Sequence, residues 1–553
     1  MTFTTAPYTA HVDPFAREHL PPSAEMPDFI FMLPELRYPE RLNCVVELLD
    51  NWLAKGHGAR PCFRSLDRSY SYAEFAALVN RIANVLVAEY GLIPGNRVLL
   101  RSPNTPLMAA ALFAVMKAGG IAVTSMPLLR AKELAFMCDK AKVALALCDH
   151  RFLEELEKAK LATPALEKIV PMGGGSSEDL NSAIEKASGE FTACPTSAED
   201  ICLIAFTSGT TGVPKGAMHN HRDMLATCDT YGKYVLEARP TDVFIGSPPL
   251  AFTFGLGGGA LFSLRIGASS ILLEQAAPDK LMEAIRTLKP TVCFTAPIAY
   301  RAMLAKLQPG DLASLRICVS AGEALPGATW GAWKAATGIE ILDGIGSTEM
   351  LHIFIGAPAG KIKAGSTGIP VPGYEAKIVD DEGRELPRGS TGLLAVRGPT
   401  GCRYLADPRQ TTYVRNGWNF TGDTYRLDED GYFWHQARSD DMIVSAGYNI
   451  AGPEVEGALL SHPAVLECAV VGAPDLAHDT TIVKAYVVPR AGHQSDGGLV
   501  AALQEHVRSE IAPYKFPRVV TFVEALPRTE SGKVQRFVLR ERARREAEEG
   551  AGK

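Results

Sequence analysis

From the N-terminus to about residue 400, the chain alternates short apolar runs with longer segments whose apolar positions recur every three or four residues. Such alternation predicts βα units and parallel sheets. The run "RVLLRSPNT" is typical of a strand followed by a loop, and "PLMAAALFAVMKAGG" predicts a helix that ends at Gly119. The pattern therefore indicates an α/β fold for this part of the chain.

Three segments share one pattern, an apolar run that stops abruptly in a loop of Gly, Ser and Thr. They are "ICLIAFTSGTTG", "LRICVSAGEALPG" and "IEILDGIGSTE". Ligands of open α/β sheets bind beyond the carboxyl ends of the strands. We therefore expect the three loops to line one site.

The pattern changes after Gly365, where "YEAKIVDDEGRELPRGSTGLLAVRG" has the short alternating runs of antiparallel strands. It changes again after "HQARSDDMIVSAG". From there we predict helices over Pro453–Leu460 and Leu499–Ile511, with strands at "ECAVVGA", "TIVKAYVVP" and "RVVTFVEA". This order indicates a separate α+β domain, whose last segment, "RFVLRERARREAEEGAGK", predicts a charged helix extending into solvent.

Composition narrows the classes of function. Of 553 residues, 47% are hydrophobic and 21% charged, as in an ordinary globular protein, and the net charge of −6 gives no basic surface for nucleic acid. The N-terminus lacks the features of a signal peptide, and the longest uncharged stretches are too short to span a membrane. Eleven cysteines without C-x-x-C spacing suit a reducing compartment and argue against a zinc site or disulfide framework. We expect a cytoplasmic protein, monomeric or homodimeric, that binds neither membrane nor nucleic acid.

The glycine-rich run "TSGTTGVPKG" offers hydroxyls and close backbone approach to a phosphate. It is not the loop G-x-x-x-x-G-K-[ST], because Gly216 follows Lys215 where a hydroxyl is required. Alone, such a run is also compatible with a surface turn. The candidate phosphate contacts are Thr207, Ser208, Gly209, Thr210, Thr211, Gly212 and Lys215.

At every position this run resembles the phosphate loop of the acyl-adenylating superfamily, which includes acyl-CoA synthetases, luciferases and peptide-synthetase adenylation domains. Further motifs follow in order. "GIGSTEM" is similar to the motif in which Thr348 would touch the α-phosphate and Glu349 would hold Mg²⁺. "GWNFTGD" is similar to the motif in which Asp423 would bind the ribose hydroxyls. "PRTESGKVQR" resembles the C-terminal catalytic loop, with Lys533 as its lysine.

The resemblance implies a large, multi-layered α/β N-terminal domain over residues 1–438 that includes a distorted β-barrel subdomain. A small, mobile α+β C-terminal domain over residues 439–553 would carry the catalytic lysine. "ARSDD" is similar to the junction motif, with Arg438 near the ribose and Asp440 as the hinge.

The same resemblance implies that ATP, Mg²⁺ and coenzyme A are used in two steps. Acid and ATP first give an acyl-adenylate, with Lys533 bridging the attacking carboxylate and the α-phosphate. The C-terminal domain then rotates, and the loop "SAGYNI" presents Gly447 and Tyr448 to the pantetheine arm. Further nucleotide contacts implied by the resemblance are Gly322, Glu323, Asp343 and Gly344.

"GIGSTEMLHIF" and "AFTFGLGGG" resemble the benzoate–CoA ligase branch, and "YPERLNCVVELLDNW" suits its 2-aminobenzoate members. The expected activity is AMP-forming ligation of 2-aminobenzoate or benzoate to CoA. A hydroxybenzoate, an arylacrylate or a fatty acid is the alternative substrate, and a non-catalytic sensor of acyl-adenylate or nucleotide is the alternative function. The residues expected to line the acid pocket are His221, Phe252, Thr253, Phe254, Gly322, Gly346 and His352.

Overall fold

The computed structural model describes residues 8–177, 179–207, 213–322, 325, 327–438, 442–445, 447–493, 495–527, 534 and 536–551. Two short strands come first, β1 (Pro61–Arg64) and β2 (Ser69–Ser71). The next six strands form a sheet of their own. They are β3 (Arg97–Arg101), β4 (Ile121–Ser125), β5 (Leu145–Asp149), β6 (Lys168–Met172), β7 (Ile201–Thr207) and β8 (Lys215–Asn220). Their order is β6-β5-β3-β4-β7-β8, and only the β7–β8 ladder is antiparallel.

A second, larger sheet takes up β1 and β2 together with the next seven strands. These are β9 (Val243–Gly246), β10 (Ser269–Ile271), β11 (Val292–Thr295), β12 (Ile317–Ser320), β13 (Ile341–Gly346), β14 (Ile353–Gly356) and β15 (Ile369–Pro370). The order is β15-β14-β13-β12-β11-β9-β10-β1-β2, parallel from β13 to β1 and antiparallel at both edges. The predicted parallel α/β architecture is confirmed.

Helices connect the strands of both sheets. They are α1 (Phe15–Glu18), α2 (Asn51–Ala54), α3 (Tyr72–Ala88), α4 (Pro106–Lys117), α5 (Ala131–Ala141), α6 (Leu153–Ala162), α7 (Leu180–Ile184), α8 (His221–Thr227), α9 (Thr253–Leu256), α10 (Phe262–Arg265), α11 (Pro278–Leu288), α12 (Pro297–Leu304), α13 (Gly327–Thr337) and α14 (Gln410–Tyr413). The predicted α4 is capped by the Thr105 side chain, begins with Pro106 and is buried over nearly all its length, as expected for a helix that is apolar on every side.

Antiparallel strands follow the second sheet. They are β16 (Glu375–Val379), β17 (Thr391–Arg397), β18 (Val414–Arg415), β19 (Trp418–Leu427) and β20 (Phe433–Arg438). They pair in the order β16-β17-β19-β18, and β20 also pairs with β19. This is the unit predicted as a distorted β-barrel, and its strand β20 ends at Arg438, the last residue of the predicted N-terminal domain. The domain boundary itself stays a prediction, because residues 439–441 lie outside the described residues.

The C-terminal part has the predicted α+β order. It contains β21 (Met442–Ser445), β22 (Tyr448–Ala451), α15 (Gly452–Leu460), β23 (Val465–Asp475), β24 (Thr480–Pro489), α16 (Gly497–Glu510), β25 (Val519–Phe522) and α17 (Arg536–Ala551). One prediction here is wrong. Helix α17 does not extend into solvent, because Leu539 and Ala543 are buried and Glu546 pairs with Lys484. Leucine and alanine one turn apart give this charged helix an apolar stripe that packs on β23.

All eleven cysteines are free thiols. Among the described residues, no helix combines the length and the apolar character needed to cross a membrane.

Candidate active site

One large cavity opens where the predicted loops meet. It encloses about 1550 Å³ when the solvent at its mouth is included. Thr207 at the end of β7, Gly322 after β12 and Gly346 at the end of β13 all contribute to its wall. The three loops therefore line one site, although β7 belongs to one sheet and β12 and β13 to the other.

Most of the predicted site residues among the described ones lie in this wall. They are Thr207, Phe252, Thr253, Phe254, Gly322, Gly346, Thr348, His352, Gly447 and Tyr448.

Glu349, which the motif predicts to hold Mg²⁺, follows Thr348 and lies in a buried polar network. The Tyr404 hydroxyl donates a hydrogen bond to Glu349 Oε1, and Lys215 Nζ lies 3.5 Å from the same oxygen. Lys215 also donates to the Tyr404 hydroxyl at 2.6 Å. Burial alone would raise the pKa of Glu349, but the Lys215 ammonium and the Tyr404 hydroxyl lower it below its usual value. The carboxylate is therefore ionised, as a ligand for a hard cation must be.

Thr348 is held through its backbone. Its carbonyl oxygen lies 2.8 Å from His219 Nε2. On the other side of that ring, Asp223 lies 3.4 Å from Nδ1 and accepts a hydrogen bond from Arg403 at 2.7 Å. Burial raises the pKa of Asp223, but the Arg403 charge, the contact with His219 and the Arg222 charge together outweigh it, and the pKa falls to about 2. A buried ion pair thus fixes the loop that carries Thr348.

Two other predicted nucleotide contacts, Asp343 and Gly344, follow each other in β13. Asp343 is buried, its Oδ1 has no hydrogen-bond partner among the described residues, and burial raises its pKa to about 8. At Gly344 an added Cβ would come within 2.6 Å of the Ile353 side chain. Neither residue belongs to the described cavity wall.

Asp423 and Arg438, predicted to meet at the ribose, are direct cross-strand neighbours. Asp423 on β19 is in register with Arg438 on β20 in an antiparallel ladder. Residues paired in this way have Cβ atoms about 4.5–5.5 Å apart. The strand pairing therefore brings together two residues that the motifs separated by fifteen positions.

His352 lines one end of the cavity and packs within a group of aromatic rings, of which Phe254 also lines the cavity. Its ring centroid lies 5.6 Å from that of Phe254, 4.7 Å from Phe262 and 5.3 Å from Tyr231. Neither ring nitrogen makes a hydrogen bond of good geometry with a described residue, and the Tyr231 hydroxyl is likewise unpartnered within that part of the chain. Burial lowers the pKa of His352 to about 3. The nearby Phe254 carbonyl raises the pKa, but by less than burial lowers it. The imidazole is therefore neutral and able to donate one hydrogen bond and accept another.

The glycine-rich segment after Phe254 makes room for this ring. Helices α9 and α10 are joined by a π-helical turn over Gly257–Leu261. A Cβ on Gly257 would lie 2.4 Å from His352 Cδ2, and one on Gly258 would lie 2.5 Å from the ring of Phe294. The run of glycines thus lets the helix backbone approach this end of the cavity.

The C-terminal part supplies the loop between β21 and β22 to the same cavity. Gly447 has φ +79° and packs against Gly322, where an added Cβ would lie 3.4 Å from the Gly447 carbonyl oxygen. The Tyr448 ring meets the ring of Phe252 at 6.3 Å and 67°. In this arrangement the predicted pantetheine-facing loop stands over the acid end.

His221 is a correction. We expected it in the acid pocket, but the described cavity wall does not include it. It is fully buried, its Nδ1 accepts a hydrogen bond from the Cys44 backbone N–H at 3.2 Å, and it lies 3.1 Å from Cys44 Sγ. Asn220 caps helix α8, so the chain turns at this point and directs His221 into the core.

Several predicted residues lie outside the described residues. They are Ser208, Gly209, Thr210, Thr211, Gly212, Glu323, Asp440 and Lys533. Their roles stay predictions. For Arg438 the structure describes the strand position only.

Sequence reasoning missed Tyr404, His219 and Tyr231. Tyr404 is 189 positions from Lys215 and 55 from Glu349, so no local spacing joins the three. His219 lies in the same "HNH" as His221, but it belongs to strand β8, whereas His221 begins helix α8.

Comparison with known proteins agrees with this geometry. The family model described as AMP-binding enzyme matches residues 50–404, and that of the AMP-binding enzyme C-terminal domain matches residues 454–533. A benzoate–CoA ligase of Thauera aromatica is 36% identical over 92% of this chain and 97% of its own length.

Two solved structures extend the likeness. The anthranilate CoA ligase AuaEII, in complex with anthranoyl-AMP, is 37% identical and has a TM-score of 0.71 over 92% of this chain and 99% of its own. The amide bond synthetase McbA from Marinactinospora thermotolerans is 28% identical, with a TM-score of 0.81 over 90% of this chain and 99% of its own. Both family models match, the first over more than half of the chain, and the benzoate–CoA ligase is 36% identical over 92% of it. The chain therefore belongs to the AMP-binding enzyme family.

Proposed function

We propose that the protein is an ATP-dependent aryl-carboxylate–CoA ligase that forms AMP. In the first step the acid carboxylate attacks the α-phosphorus of ATP, and pyrophosphate leaves. In the second, the CoA sulfur bonds to the acyl carbon, the acyl–phosphate bond breaks, and AMP and the thiol proton are released. One observation carries the proposal: a single cavity joins the Thr348 loop, next to the ionised Glu349, to the aromatic side chains of Phe252, Phe254 and His352.

The phosphate end suits charge stabilisation, which dominates catalysis of this kind of transfer. Glu349 fits Mg²⁺, because its carboxylate is held ionised beside Thr348 and its contacts with Tyr404 and Lys215 are both to Oε1. Mg²⁺ would neutralise the triphosphate. We assign Lys533 to the attacking carboxylate and α-phosphate, Asp423 and Arg438 to the ribose, and Asp440 to the hinge between domains 1–438 and 439–553.

The acid end favours a small aromatic ring. Phe254 and His352 line the cavity, and Phe262 and Tyr231 pack against His352 behind that wall, where a long acyl chain would need an open tunnel. The unpartnered nitrogens of His352 suit a hydrogen-bonding group on the acid, since a buried polar atom without a partner costs free energy. Two of the compared proteins act on benzoate or anthranilate, so 2-aminobenzoate and benzoate are the proposed acids.

Acid-dependent ATP–pyrophosphate exchange without CoA tests the proposal, over benzoate, 2-aminobenzoate, hydroxybenzoates, cinnamates and fatty acids. We expect exchange with small aryl acids, and a CoA thioester when CoA is added. Lys533→Ala should bind ATP but lose exchange, whereas Lys306→Ala, at an exposed ion pair with Asp279, should be unchanged. ATP binding without exchange for any acid would favour a nucleotide sensor. Near-normal exchange by Lys533→Ala would contradict the role of that lysine.

We extend the proposal to the cellular setting. Eleven free thiols suit a reducing compartment, which supports a cytoplasmic location. The partners of the protein are then its small-molecule substrates: the aromatic acid, ATP and CoA.

A further inference from the structure

A buried ion cluster joins the N-terminal and C-terminal parts of the chain, and two of its members, Glu133 and Lys515, belong to the cavity wall. Lys515 Nζ lies 2.7 Å from Glu133 Oε1 and 2.6 Å from Glu454 Oε1. Lys515 and Glu454 belong to the C-terminal part, and Glu133 belongs to helix α5 of the N-terminal part. All three side chains are at most 10% exposed. The activity proposed above assigns no role to any of them.

The cluster has two carboxylates for one ammonium, so one carboxylate is enough to neutralise Lys515. Burial and the repulsion of Glu133 raise the pKa of Glu454 to about 7, against the pull of Lys515. Glu454 Oε2 has no hydrogen-bond partner among the described residues. Glu133 is better placed as the counter-ion, because its second oxygen accepts a hydrogen bond from the Arg130 backbone N–H at 2.9 Å. The principal ion pair is therefore Lys515 with Glu133, across the two parts.

Aromatic contacts connect this pair to the loop over the acid end. Tyr514, next to Lys515, stacks on Tyr448 with centroids 4.1 Å apart and planes 26° apart. Tyr448 in turn meets Phe252 of the N-terminal part and follows Gly447 at the cavity. Fixing Lys515 against Glu133 therefore also fixes the loop.

The ion pair belongs to only one arrangement of the domains. Under the proposed function, Lys533 and Gly447 must reach the same reacting centre in different steps. Any rotation that exchanges them carries Lys515 away from Glu133, while Lys515 and Glu454 move together. The pair thus lowers the free energy of the arrangement seen here relative to the one that forms the adenylate.

We propose that the Lys515–Glu133 ion pair is a positioning contact that holds the C-terminal domain with Gly447 at the cavity and so favours acyl transfer to CoA. This inference rests on the proposed function. A hydrogen bond involving charged groups contributes about 1.5–3 kcal/mol, which corresponds to roughly ten- to a hundredfold in the balance between two arrangements.

Glu133→Gln and Glu454→Gln form a matched pair of test variants. Each removes one carboxylate and leaves the other as counter-ion for Lys515, so neither strands a buried charge. Only Glu133→Gln removes the negative charge that faces Lys515 from the N-terminal part. Asp479→Asn is a further control, because Asp479 lies 3.7 Å from Arg301 across the same interface but is 69% exposed.

Two reactions are measured for each variant: acid-dependent ATP–pyrophosphate exchange without CoA, and single-turnover transfer from preformed acyl-adenylate to CoA. We expect Glu133→Gln to slow transfer at least tenfold while exchange stays within twofold or rises. Glu454→Gln and Asp479→Asn should change the ratio of the two rates less than threefold. Equal loss of both reactions in Glu133→Gln, or no loss of transfer, overturns the inference.

A structural readout separates this inference from the proposed function. Fluorescence energy transfer between labels on the two domains reports their arrangement without any reaction. Glu133→Gln should shift the distance distribution and Glu454→Gln should not. An unshifted distribution in Glu133→Gln overturns the positioning role even if the exchange assay finds no substrate. Absence of exchange in the unmodified protein contradicts only the proposed function.

Discussion

Replacing Gly257 by alanine tests whether His352 recognises the acid. Gly257 has φ −60°, so alanine fits the backbone there, but its Cβ would lie 2.4 Å from His352 Cδ2 and 2.6 Å from Nε2. Ordinary contact begins near 3.4 Å. The imidazole must therefore retreat by at least 1.0 Å, the difference between 3.4 and 2.4 Å, into a pocket end already filled by Phe262.

The expected cost follows from two terms. Overpacking a filled core costs about 1–3 kcal/mol, and replacing a helical glycine by alanine returns about 0.5–1 kcal/mol. Protein stability should therefore fall by no more than about 2.5 kcal/mol. A displaced His352 also loses a hydrogen bond to the acid, which contributes about 0.5–1.5 kcal/mol. Together with the narrowed pocket, this predicts a kcat/KM for the aryl acid about tenfold lower, with the KM for ATP unchanged.

The assay is pyrophosphate exchange over a range of acid concentrations, at saturating ATP, for Gly257→Ala and for Gly331→Ala. Gly331 lies inside helix α13, and an added Cβ there meets nothing within 4 Å. The Gly331→Ala substitution should raise the free energy of unfolding slightly and leave the kinetics of exchange unchanged. Unaltered kcat/KM for the acid in a folded Gly257→Ala protein would refute the assignment of His352 to acid recognition.

Three further predictions concern other parts of the molecule. Tyr404→Phe removes the hydroxyl that holds Glu349, and the Mg²⁺ concentration for half-maximal exchange should rise severalfold; an unchanged Mg²⁺ titration would contradict this arrangement. Below about pH 6.5 His352 is protonated in the unfolded chain, but in the folded chain, where its pKa is about 3, it stays neutral. The contribution of His352 to the free energy of unfolding should therefore fall by about 1.4 kcal/mol per pH unit from pH 6.5 towards 3. Urea unfolding of His352→Phe should lack this component, and equal slopes in the two proteins would contradict it. Leu539→Ala should lower the unfolding free energy by about 2–5 kcal/mol, and the exposed Glu541→Ala by less than 0.5; equal values would contradict the packing of α17.

Local sequence was sufficient for the parts of the site that follow a strand directly. Gly346 and Thr348 come at or just after the end of β13, and Thr207 ends β7, so the end of each apolar run located them. Asp423 and Arg438 were found from motifs, although their proximity depends on the β19–β20 register. These residues are fixed by local chain geometry.

Local sequence was insufficient where tertiary packing determines which side chains lie next to one another. Lys215, Tyr404 and Glu349 lie on three separate segments, and only the folded chain brings their polar atoms together. The error at His221 has a different cause. A strand and a helix meet at Asn220, and the change of direction sends two histidines of one tripeptide to different surroundings. Neither effect leaves a mark in spacing or composition.

The division of the site between the two domains predicts how substitutions act on the two reactions. The pocket end around His352 and Phe254 lies wholly in the N-terminal part, so it contacts the acid before and after the domain rotation. Changes there should affect adenylate formation and acyl transfer in proportion. Glu133 contacts the C-terminal part in one arrangement only, so its substitution should change the ratio of the two rates. That ratio therefore separates recognition of the acid from control of the domain arrangement, which a single overall kcat cannot do.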